Sequence, residues 1–153
     1  MAEFRYDELD AAAGATLGPS SSIMITQARI DAFADATEDR QWIHTDPDRA
    51  ATGPFGTTIG HGFLTLSLCS AFLDDILLVT GADSIINYGS DRVRFPSPVP
   101  VDSELYATGE IVAVTPNEGW TQLTVRLSIH RQGGERPACV VDQLIRYIAP
   151  VGV

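Results

Sequence analysis

The chain has 153 residues, of which 44% are hydrophobic and 20% charged, a balance that excludes an intrinsically disordered protein and suffices for a sizeable core. Its formal net charge is −10, and all ten cationic side chains are Arg with no Lys, which argues against nucleic acid as a partner because phosphate binding wants clustered cations. No apolar run reaches the roughly 18 residues of a membrane span, and the stretch from Met1 to Glu8 lacks the basic head and apolar core of a signal peptide, so a soluble, cytoplasmic chain without a membrane partner is expected.

With no compositional break, no repeat and no linker, one domain over residues 1–153 is the expectation. Residues 7–13 suit a short helix, ended by Gly14 and turned by Gly18-Pro19. A short strand is expected from Ser21 to Ile25. Thr26 then reads as an N-cap, and Ile30, Phe33, Ala34 and Thr37 recur at helical spacing, predicting an amphipathic helix to about Ala36. Asp46-Pro47 has the form of an N-cap followed by proline at the first helical position, and opens a second, short helix. The glycine-rich loop from Thr52 to Gly60 is a shaped connection suited to be the wall or lid of a site.

From Gly62 to Val79 the chain is apolar on nearly every side apart from Asp74-Asp75, which predicts a long buried helix. Four strands follow, from Ser84 to Phe95, Glu104 to Thr115, Gly119 to Arg131 and Pro137 to Ile148. The alternation in Leu123-Thr124-Val125-Arg126-Leu127-Ser128-Ile129 is the clearest. Long antiparallel strands after one buried helix imply an α+β fold with a curved sheet wrapped about the helix.

Chemistry-bearing residues concentrate between these elements. Asp39 and His44 are five apart, a spacing that on a helix of 3.6 residues per turn would not let them face each other, so a loop must bring them together. Gly62 opens the predicted helix, where free backbone N–H groups and the positive dipole end suit a developing oxyanion. His61 reads as structural or as a pocket wall, Trp42 as core or pocket wall, and Ser70, taken alone, as a small residue allowing close packing. His44, His61 and a carboxylate have metal-binding residue types, but no HExxH-like spacing supports a metal site. No Gly-x-Ser-x-Gly elbow is present. Cys69 and Cys139 lie in apolar runs outside any CxxC pattern and read as buried free thiols. Arg92, Arg94, Arg126, Arg131 and Arg146 lie on predicted strands and read as solvated faces, with one or two of them as candidates to meet a phosphate.

These segments resemble the MaoC-like (R)-specific enoyl-CoA hydratases of the hotdog fold. The resemblance rests on Phe33 to Asp39 leading to Ile43-His44-Thr45-Asp46-Pro47, on Ile59-Gly60-His61-Gly62-Phe63, and on Val93-Arg94-Phe95-Pro96-Ser97-Pro98-Val99. It departs from the family signature at Glu38, where the signature has Gly, and at Gln41-Trp42, where it has Asn-Pro; the Gln-Trp-Ile-His form is similar to nodulation protein N-like and mycobacterial members. The resemblance implies a homodimer that hydrates a trans-2-enoyl-CoA to the (R)-3-hydroxyacyl-CoA, with coenzyme A entering as part of the substrate and no cofactor. It implies Asp39 and His44 as the catalytic pair, the Gly62 N–H as oxyanion donor, Ser70 as support for the pair, and His61 and Trp42 as surroundings of the site. A hotdog thioesterase and a non-catalytic acyl-thioester-binding module are the alternatives.

Overall fold

A computed structural model describes residues 1–150. Its frame is an antiparallel sheet of long strands, β5 (Ser84–Arg94), β6 (Ser103–Asn117), β7 (Trp120–Arg131) and β8 (Cys139–Ile148). The two short strands β2 (Thr16–Leu17) and β3 (Ile23–Ile25) both pair with β6, and the main path runs β2-β6-β7-β8-β5. Register shifts at Ile111/Ala113, Asn87/Gly89 and Asp91/Arg94 are bulges, which bend strands and help the sheet curl.

The concave face of the sheet carries the alternating apolar residues: Leu123, Val125, Leu127 and Ile129 of β7 are fully buried, as are Cys139 and Val141 of β8. Against them lies the predicted helix, in two pieces: α4 (Gly62–Ser67) and α5 (Cys69–Ile76). At the junction the Leu68 N–H is shared between the carbonyls of Leu64 and Thr65, both at 3.3 Å. Leu64, Leu68, Cys69, Phe72, Leu73 and Ile76 face the sheet. This is the α+β hotdog arrangement.

Two expectations about this helix are corrected. It is not buried all round, since Phe63, Ser67, Ser70, Ala71, Asp74 and Asp75 are exposed; the sheet covers one side only. It also stops at Ile76, because Leu77 turns to extended backbone and Leu77–Thr80 becomes β4, pairing in parallel with β1 (Ala2–Arg5). The residues expected as an N-terminal helix form a 3-10 turn, Tyr6–Ala12, that buries Leu9 and Ala12.

Between β3 and the central helix stand three short helices. α1 (Gln27–Thr37) starts at Thr26, whose hydroxyl accepts the Arg29 N–H, and ends at Glu38, held in the left-handed region at φ +62°. A side chain there meets the backbone and costs about 1–2 kcal/mol. This is the position where the hydratase signature has glycine, so the left-handed turn explains that preference. α2 (Trp42–Thr45) is a single turn, and α3 (Pro47–Ala51) is capped by Asp46, whose carboxylate accepts the Arg49 N–H at 3.0 Å.

Candidate active site

The site forms where the loop after α1, the turn α2 and the start of α4 converge. Asp39, His44 and His61 each offer a donor atom within 4.8 Å of the others, so the loop brings the predicted pair together. Asp39 is exposed, whereas His44 and His61 are buried. Their imidazoles stack with centroids 3.8 Å apart and planes at 24°, and Phe33 of α1 closes against His61 at 5.0 Å.

Hydrogen bonds fix the state of both rings. The His44 Nδ1 lies 2.6 Å from the Ile59 carbonyl. A carbonyl only accepts, so Nδ1 carries the hydrogen and Nε2 is left as the basic nitrogen. Burial, the largest influence, pushes the His44 pKa below its ordinary value; the hydrogen bond to Ile59 opposes this, His61 beside it adds to the lowering and Asp39 raises it. The ring is therefore neutral near pH 7 and able to accept a proton. By the same logic His61 Nε2 donates to the Asp39 carbonyl at 2.9 Å, leaving His61 Nδ1 buried as an acceptor without a partner among the described residues. His61 thus holds the backbone of one proposed catalytic residue while stacking on the other.

Gln27 was not legible as a site residue. Its amide nitrogen donates to the His44 carbonyl at 2.8 Å while its oxygen accepts from buried Thr58 at 2.6 Å, tying α2 to the loop before α4. The Ile59 N–H donates to Ile43, and Gly60 to Val99, so the Thr52 to Gly60 loop is pinned at its end. That loop contributes Phe55 and Ile59 to a cavity of about 350 Å³, which His44, Gly62, Thr65, Phe95 and Ala138 also line. Gly62 is the first residue of α4, so its N–H has no intrahelical partner. A methyl group at Gly62 would sit 3.0 Å from the Phe95 ring, so the lack of a side chain lets the two elements approach.

Two predicted site residues lie elsewhere. Trp42 packs on Gly53 and under the Arg49 guanidinium at 4.4 Å, and does not line the cavity. One turn of helix cannot aim both Trp42 and His44 inward. Ser70 is on the exposed side of α5 and lines a separate recess with Leu73, Asp74 and Gln143; eight residues from Gly62 the helix has carried it away from the pair.

The three clustered side chains do not present a converged metal site. Imidazole lone pairs lie in the ring plane, and two nearly parallel, stacked rings cannot both direct one at a single ion about 2.1 Å away.

A buried, neutral imidazole beside a carboxylate, opening on an apolar cavity at a helix start of a hotdog fold, is an arrangement able to take and return protons. Residues 8–132 match the family described as MaoC like domain. The chain is 48% identical over 143 residues to 3-hydroxyacyl-thioester dehydratase Z of Mycobacterium tuberculosis, covering 93% of this chain and 95% of the relative. It is 47% identical over 107 residues to nodulation protein N of Rhizobium leguminosarum bv. viciae, covering 69% and 66%. Among solved structures, the (R)-hydratase of Aeromonas caviae superposes with a TM-score of 0.70 at 30% identity, over 90% of this chain and 96% of that one. The chain belongs to the MaoC-like dehydratase family of hydro-lyases.

Proposed function

We propose that this protein hydrates a trans-2-enoyl-CoA to the (R)-3-hydroxyacyl-CoA and runs the reverse dehydration. The observation that carries the reading is the tautomer of His44: with Nδ1–H committed to Ile59, the neutral ring has Nε2 free to take a proton. Two relatives act on this chemistry by name, a 3-hydroxyacyl-thioester dehydratase and an (R)-specific enoyl-CoA hydratase.

In the forward direction water bonds through oxygen to C3 as His44 takes one of its protons. The C2=C3 electrons move into an enolate, whose oxygen accepts the Gly62 N–H. The proton taken by His44 is passed on by way of Asp39 to C2, so the O–H bond broken in water is balanced by the new C–H bond and the elements of one water are added with no change of oxidation state. Neither a metal nor a redox cofactor is required by that balance. The roles of Asp39 and His44 belong to a coupled pair rather than to each group alone.

The protein acts as a homodimer and works in the cytoplasm. β5 is a sheet edge of 11 residues whose Ile85, Ile86 and Tyr88 are exposed. Such an edge is better paired than left open. The two unpaired, buried cysteines suit a reducing compartment.

The test is loss of enoyl-thioester ultraviolet absorbance with crotonyl-CoA and a medium-chain enoyl-CoA. Asp39→Asn and His44→Ala should each lower the rate by about 10²–10⁴-fold, the scale of general acid–base catalysis. Full activity in both variants would overturn the site, and release of free thiol without hydration would mark a thioesterase instead.

A further inference from the structure

On the convex face of the sheet, opposite the helix, Arg92, Arg94 and Arg126 surround a pocket of about 250 Å³ with Val140 and Asp142. Three guanidinium groups and one carboxylate line this pocket in a chain of net charge −10, with two further carboxylates, Asp91 and Glu110, beside them in the sheet register. Asp142 is buried, and Arg126 takes both its oxygens, at 2.8 and 3.0 Å. That bidentate pair satisfies the carboxylate and leaves the other two arginines largely uncommitted. Arg92 reaches Asp142 only at 3.8 Å, and Arg94 donates to the adjacent Val93 carbonyl through Nη1 alone. Asp91 lies opposite Asp142 in the β5-β8 register, and Glu110 opposite Arg126 in the β6-β7 register.

The position of this pocket links it to the proposed active site. Arg94 is opposite Val140 in the β5-β8 register and precedes Phe95, a wall of the site cavity. Ala138, another wall, lies in the bend that leads into β8, two residues before Val140. The two pockets therefore lie at the same end of the sheet, linked along the chain by Arg94-Phe95 and by Ala138-Cys139-Val140. Arg92 sits at the bulge between Asp91 and Arg94 with φ +56°, a backbone conformation that a side chain rarely adopts.

We propose that Arg92 and Arg94, supported by the Arg126–Asp142 pair, bind a phosphate of the substrate's carrier arm as it leaves the active-site cavity past Phe95. The proposal rests on the thioester reading and adds the subsite that reads the non-reacting end. The shared chemistry is the phosphate ester of a phosphopantetheine arm, carried by coenzyme A or by a carrier protein.

Calorimetry with coenzyme A, 4′-phosphopantetheine and pantetheine tests it without turnover. Wild type should bind coenzyme A about tenfold or more tightly than pantetheine, the scale of one charge-assisted hydrogen bond, and added salt should weaken that preference. Arg92→Asn/Arg94→Gln should lose the preference with an unchanged melting temperature, and Arg94→Gln alone should lose part of it; asparagine tolerates the left-handed backbone at position 92. If 4′-phosphopantetheine binds like coenzyme A, the pocket takes the phosphate common to both carriers; if 4′-phosphopantetheine binds no more tightly than pantetheine, the pocket does not hold the arm's phosphate and the proposal is overturned. Wild type that binds pantetheine as tightly as coenzyme A, or a double variant that keeps the preference, overturns the proposal. Because hydration is measured separately, a preference without hydration would reject the function and keep the pocket, and hydration without a preference would do the reverse.

Discussion

His44 is a histidine whose environment has chosen its protonation state. A folded-state pKa below the ordinary 6.5 means that the folded protein binds fewer protons than the unfolded chain just below that pH. Stability from this residue is therefore fully present above about 6.5 and declines as pH falls toward the folded value. The free-enzyme rate should follow the same group: the acid limb of kcat/KM for hydration should inflect below 6.5, and an inflection above 6.5 would contradict a buried neutral base. At this scale the sequence was informative about proximity and poor on direction. The spacing of Asp39 and His44 demanded a loop, and a loop joins them. Where Trp42 and Ser70 point was not legible, because a one-turn helix shows no period and the side of α5 left uncovered is settled by strands far along the chain. His61 had only its place before Gly62 to mark it, and its hold on the Asp39 backbone is a contact across 22 positions.

Among elements, the end of α1 carries a cost that one substitution can remove. Glu38→Gly should raise stability by about 1 kcal/mol, since glycine adopts the left-handed conformation without the clash between Cβ and backbone. Denaturant unfolding would show this as a higher midpoint at unchanged slope, and a lower midpoint would mean that the Glu38 side chain stabilises the turn by some other route. The four long strands lie where expected, and β7 was the clearest because its alternation over ten or more residues is a strong signal, whereas β5, exposed almost throughout, shows no such period. β1, β2 and β4, of two to four residues, are too short to show a period. The overestimate of the central helix has the same origin: Leu77-Leu78-Val79 is apolar enough for helix or strand, and pairing with β1 decides it.

At the scale of the whole molecule, the exposed edge of β5 is where a second copy would add. Sedimentation should give twice the 16.5 kDa chain mass, and Ile86→Lys, which puts a charge on the edge, should shift the population toward monomer. A wild type that sediments as a monomer at micromolar concentration would remove the dimer from the proposal. Inside the same body, Cys69 on α5 and Cys139 at the start of β8 lie on the two sides of the core, with burial pushing their thiols up to about 12 and about 11. Thiolate, the reactive form, is thus scarce and out of reach while the helix stays seated on the sheet. The pair amounts to a built-in clock: the pace at which a thiol-seeking dye colours the native protein counts how often the helix and the sheet part company.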